Sequence, residues 1–149
     1  MKNKLIAAGS ATLLALGLVV TGASAASAVE VSDYCLNNLN ARTQYSTELP
    51  SRALFCQMQA GPARAYGYTG PITGVMGPNS WKGTQRYLAA HWGYKGAISG
   101  KTGKPMREAM ERAANATGFQ TTPQPIDGSL SLKDWQGWAY RVRINFFTN

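Results

Sequence analysis

The side chains able to do chemistry in this sequence are one histidine, seven acids, two cysteines and a set of aromatic and arginine residues that recur at fixed spacing. A Ser-His-Asp or Cys-His arrangement would have to be built on His91, the sole imidazole. It stands beside Trp92 at the expected end of a helix, where packing or C-terminal capping outweighs a catalytic role. A zinc site needs three or four ligands, and His91 has no partner at metal-ligand spacing. A glycosidase needs two placed carboxylates. Glu108 and Glu111 are expected in helix-face ion pairs, Glu30 and Asp33 fall in an N-terminal tail, and nothing singles out Glu48 or Asp127. Gly74 to Gly77 lacks the Lys-Ser/Thr of a phosphate-cradling loop. These residues point away from catalysis and ask for no cofactor or metal.

What remains is the chemistry of binding. Tyr66, Tyr68, Trp81, Trp92, Tyr94, Trp135 and Trp138 gather around loop–helix junctions. Aromatic rings pack on the apolar faces of sugars, while N-acetyl and peptide groups take hydrogen bonds. Tyr68 and Tyr94, in loops, are candidates for ligand contact. Trp81 and Trp135 are candidates as well, although their equivalent positions on apolar helix stripes favour core packing. Arg86 and Arg112 share one helix position. They suit either the carboxylates of a bound peptide or internal ion pairs such as Arg112 with Glu108.

The elements that must position these residues follow a period. Under one constant shift, Gly67, Tyr68, Gly70, Ile72, Gly74, Gly77 and Arg86 fall on Gly93, Tyr94, Gly96, Ile98, Gly100, Gly103 and Arg112. A fixed period of this length marks a supersecondary unit that buries its apolar face against its neighbours. Each unit reads as a Gly/Pro loop delivering the chain into a helix. Pro78 opens one helix, with Trp81, Gln85, Leu88 and Trp92 at helical steps. Pro105 lies in the first turn of the next, whose apolar stripe is Met106, Ala109, Met110, Ala113 and Ala114. Its opposite face pairs Arg107 with Glu111 and Glu108 with Arg112. Gly118 ends it.

A third, degraded unit has Ile126-Asp127-Gly128 in place of Ile98-Ser99-Gly100, after a two-residue insertion. Ser131 with Asp134 resembles a capping box, and Leu132, Trp135, Ala139, Val142 and Phe146 form its helical stripe. Ahead of the units, Ser32 or Asp33 caps a short helix, and Arg52 to Ala60 forms another, ended by Gly61-Pro62. Pro50 and Gln57 align with Pro78 and Gln85. The fold class is therefore mainly α: a small helical bundle of loop–helix units joined by Gly/Pro-rich loops.

Residues 1–28 read as a secretory signal peptide, with Lys2 and Lys4 ahead of the apolar run Leu5 to Val20 and small-x-small sites at Ala23-Ser24-Ala25 and Ala26-Ser27-Ala28. No other stretch approaches transmembrane length, so membrane insertion is not expected. Without Lys2 and Lys4 the chain keeps 13 basic residues against 7 acidic, an excess suited to anionic surfaces such as cell-wall polymers. The basic residues are dispersed and no nucleic-acid motif is present. In an exported protein Cys35 and Cys56 are expected to pair, tying residues 29–49 to the unit-bearing domain, residues 50–149.

The run Gly67-Tyr68, Ile72-Thr73-Gly74, Gly77-Pro78-Asn79-Ser80 and Gln85 resembles the repeat of peptidoglycan-binding domains, small three-helix modules of cell-wall hydrolases and phage lysins. The second unit keeps Gly93-Tyr94, Ile98-Ser99-Gly100 and Gly103. The Asp of that family's turn is present only as Asp127, with Thr73 and Ser99 in its place elsewhere. Both are short and polar and can keep the turn hydrogen bond. The resemblance implies cell-wall glycan binding without catalysis, by a secreted or wall-associated protein. The alternative is an exported protein-binding factor, an inhibitor or antimicrobial type, using the same scaffold.

Overall fold

The computed structural model describes residues 4–6 and 28–148. The expected signal peptide lies outside the described residues except for Lys4–Ile6 and Ala28. Strand β1 (Lys4–Ile6) pairs antiparallel with β2 (Val29–Val31). On its other side β2 meets the first long loop: Ser32 N–H donates to Ile72 O at 2.9 Å, and Ile72 N–H to Glu30 O at 2.8 Å. Helix α1 (Asp33–Asn38) follows at once, its N-cap Ser32 accepting from Cys35 N–H. Cys35 is bonded to Cys56, with Cα atoms 5.4 Å apart. Val31, Cys35, Cys56 and Ile72 form a small apolar cluster of their own around that bond. In the chain-entropy view, closing a loop of this length stabilises by about 3 kcal/mol.

Four helices make the body: α2 (Arg52–Met58), α3 (Pro78–His91), α4 (Lys104–Asn115) and α5 (Leu132–Phe146). The capping box expected at Ser131 and Asp134 is formed in both directions. Gly61-Pro62 does not end the second helix, as its turn chemistry implied. The chain instead continues from α2 through a π-helical turn, Gln59–Ala63, that contains Pro62. Proline lacks an N–H and its ring clashes with the carbonyl four residues back, and the wider turn relieves both problems. The main core lies between these helices, with Leu54, Met58, Leu88, Met110, Trp138 and Val142 all essentially without solvent contact. Trp138, absent from the stripe drawn for α5, is its largest buried side chain, while Leu132 is 40% exposed. Among the described residues no helix is long and apolar enough to cross a membrane.

Each loop is held by a buried side chain reaching forward from the preceding helical segment. Gln59 Oε1 accepts from Thr73 and Gly74 N–H at 2.9 and 2.8 Å, and its amide donates to Val75 O. Gln85, one repeat interval later, accepts from Gly100 N–H at 2.8 Å and donates to Lys101 O at 2.9 Å. Glu111, a second equal interval along, accepts from Gly128 N–H at 3.0 Å. This corrects two expectations. Gln59 is the counterpart of Gln85, whereas Gln57 holds the N-terminal segment through Leu39 O, Ala41 O and the Thr43 hydroxyl. Glu111 is fully buried and does not pair with Arg107, whose guanidinium donates to Gly128 O and Thr102 O. A loop with unsatisfied N–H groups inside the fold outcompetes a solvent-side ion pair.

The glycines at these turns, Gly74, Gly100 and Gly128, have φ of +76°, +78° and +75°. The residue before each one closes the turn. Thr73 Oγ1, Ser99 Oγ and Asp127 Oδ1 accept from Val75, Lys101 and Ser129 N–H at 3.2, 3.2 and 2.7 Å. Thr73 and Ser99 thus make the same turn bond as Asp127.

Candidate functional site

Asn79, Lys82 and Arg86 stand three and four positions apart on α3 and so share one face. The loop residues Gly67, Tyr68, Thr69 and Gly70 lie across from them, enclosing a pocket of about 280 Å³. Arg86 donates to Tyr66 O at 3.3 Å, which holds its side chain along the pocket wall. Arg64 adds a third cation nearby, donating to Gly70 O at 2.7 Å and lying 5.4 Å from the Tyr68 ring centre. Among the described residues neither Lys82 nor Arg86 has a carboxylate within ion-pair distance. An open pocket lined by Lys82 and Arg86 favours carboxylate or phosphate groups.

A second pocket, of about 410 Å³, is lined by Gly93, Lys95, Gly96, Pro105, Glu108 and Arg112. Every one of these stands one repeat interval beyond a lining residue of the first pocket, from Gly67 and Gly93 at one end to Arg86 and Arg112 at the other. The charge differs, because Glu108 replaces Lys82 and Lys95 replaces Thr69. Glu108 sits 3.8 Å from Lys104 rather than pairing with Arg112. Arg112 instead donates to Trp92 O at 2.9 Å and Gly93 O at 3.2 Å.

Tyr68 and Tyr94 are each only 8% exposed, and their hydroxyls donate to Pro71 O and Ala97 O at 2.6 Å. Burial pushes both phenols up, with the Arg64 charge and a Ser80 hydrogen bond pulling Tyr68 back. Both therefore remain protonated donors at neutral pH, tying their own loops. Tyr68 also lines the first pocket, whereas Tyr94 does not line the second.

Trp81 and Trp135 come together elsewhere. With Phe55, Arg107, Met110 and Leu130 they line an apolar cavity of about 180 Å³ where four helices begin. Phe55 meets Trp81 edge-on at 6.1 Å. Asp127 is exposed beside its own turn and lines none of these pockets. Of the residues singled out by sequence, Tyr68 and Arg86 line the first pocket, Arg112 the second and the two tryptophans the cavity, while Tyr94 and Asp127 line none of the three. Asn79 and Lys82 were missed, although their spacing with Arg86 on one helix face carried the signal.

His91, at the end of α3, packs its ring against Tyr66 and Tyr87, and the Tyr66 hydroxyl bonds its Nε2. The packing role expected for it is the one observed. Among the described residues no group of three or more His, Cys, Asp or Glu is placed to hold a metal ion. In comparisons with protein-family models, curated proteins and solved structures, this chain matches none.

Proposed function

We propose that this protein is an exported, non-catalytic binder of peptidoglycan or of an anionic polymer associated with the cell wall. The observation that carries the reading is the basic pocket between the first loop and α3, with its counterpart at the equivalent place in the next unit. Two pockets of like construction along one chain suit a ligand that is itself repetitive, and linked weak sites gain by avidity. The first, with Lys82, Arg86 and Arg64 around it, takes the acidic groups such polymers carry. The Cys35–Cys56 bond fits an oxidising compartment.

The test is co-sedimentation of the mature protein with insoluble peptidoglycan at low salt. Retention is expected, weakening as salt screens the cations. Lys82→Glu, which gives the first pocket the acid of the second, is expected to reduce retention about threefold or more by reversing one charge. Wild-type protein left in the supernatant at low salt overturns the reading. A second reading, an exported protein-binding factor of inhibitor or antimicrobial type, is favoured by the apolar cavity at Trp81 and Trp135, which has room for one apolar side chain. It predicts a stoichiometric complex in pull-downs from culture medium and no wall retention.

A further inference from the structure

At the opposite end of α3 from Asn79, a pocket of about 440 Å³ opens between the end of the helical segment that continues α2, the end of α3 and the end of α5. Its walls are Tyr66, Tyr87, His91, Trp92, Asn145 and Phe146, with Ala65 at the edge. Among the described residues no lysine, arginine or carboxylate lines it, so it is chemically unlike the basic pocket it adjoins along the helix. The rings are fixed against one another: Tyr66 and Phe146 both meet Tyr87 at 5.5 Å, and His91 meets it at 5.1 Å.

The polar tips of these rings retain unused hydrogen-bonding capacity. The Tyr87 hydroxyl accepts from Asn145 Nδ2 at 2.9 Å and from Trp92 Nε1 at 3.2 Å. With its acceptor sites filled, that hydroxyl has its own hydrogen left to donate, although the residue is only 3% exposed. Asn145 is exposed and bonds through its amide nitrogen, and its carbonyl oxygen has no hydrogen-bond partner among the described residues. The Tyr66–His91 pair also retains a donor whichever way its proton lies. If Tyr66 donates, neutral His91 carries its hydrogen on Nδ1; if His91 donates, the Tyr66 hydrogen is unused.

We infer that this pocket is a saccharide site, taking a neutral, N-acetylated hexose ring against its aromatic walls. Sugar C–H faces pack on Tyr66 and Phe146, and the sugar hydroxyls meet the Tyr66–His91 pair. The acetamido group, with one acceptor and one donor, matches the adjacent Tyr87 hydroxyl and Asn145 oxygen. Among the described residues no charged side chain lines the pocket itself, although the Arg141 guanidinium lies over the Trp92 ring at 4.5 Å, so a neutral ring is accommodated without an ionic partner. This deepens the wall-binding reading and rests on it only for the source of the sugar.

The probe is the soluble N-acetylglucosamine trimer, titrated into isotope-labelled mature protein and followed by amide and indole chemical shifts. Saturable shifts are expected at Tyr66, His91, Trp92 and Asn145. Tyr66→Phe, which keeps the ring, and Asn145→Ala, at an exposed position, are each expected to weaken binding about fivefold. Lys133→Ala, at an exposed position near the start of α5, is expected to leave it unchanged. Absence of saturable shifts, or affinity indifferent to both substitutions, overturns the site. Lost trisaccharide binding with wall retention intact removes this site and leaves the wall reading. Trisaccharide binding without wall retention does the reverse.

Discussion

Glu111 occupies the place that Gln59 and Gln85 fill in the preceding loops. A glutamine offers a carbonyl acceptor and an amide group that donates, and Gln59 and Gln85 each use both. An ionised glutamate offers only acceptors, and here Oε1 is buried with no partner while Oε2 takes Gly128 N–H. Burial pushes the Glu111 carboxyl up. The Gly128 bond pulls it back, and the Asp134 and Asp127 carboxylates push it further up. The folded protein thus holds this proton to higher pH than the unfolded chain does. Its contribution to stability is full below the ordinary glutamate range, near pH ~4.3, and is lost as pH rises through the raised folded value. Glu111→Gln is expected to flatten that dependence and to stabilise the protein at neutral pH by about 1 kcal/mol. Urea unfolding at acid and neutral pH reads both, and a variant no more stable at neutral pH would refute the equivalence. The sequence placed Glu111 in a surface ion pair because four-residue spacing looks the same whether a helix face meets solvent or a loop. The alignment of Gln59, Gln85 and Glu111 at one interval was the better signal.

At the level of elements, the helices were legible and their partners were not. Helical spacing located α3, α4 and α5, and turn residues located the loops. What spacing could not reveal is that Gly61-Pro62 would be carried inside a helix by a π turn, since proline usually signals a stop. The loop glycines can be ranked. At Gly100 φ is +78° and a Cβ would lie 2.4 Å from Pro78 O, so both conformation and space forbid a side chain. At Gly77 φ is −90° and nothing lies within 4 Å of an added Cβ. Gly100→Ala is expected to cost about 3 kcal/mol and Gly77→Ala under about 1 kcal/mol, measured by thermal or chemical unfolding. Equal losses would mean that the loop relaxes freely around Gly100.

Across the whole molecule, the sequence contained the parts of the site without its assembly. Arg86 and Arg112 were visible as recurring cations, but the walls facing them come from loops folded back against the next helix, a placement set by Gln59 and Gln85 inside the core. The four helices have a further relation. Phe55, Trp81, Arg107 and Trp135 are each the fourth residue of their helix, and all four line the same cavity. Helices whose first turns converge on one point enclose it. A stacked array open at its ends lengthens by tandem duplication, because each added copy finds the same neighbour. Here an in-frame second copy of residues 78–103 would have no place around the cavity and is expected to abolish a single cooperative unfolding transition. Copy number is therefore fixed by closure. Differences between the units lie in individual side chains, as between Lys82 and Glu108, rather than in added copies.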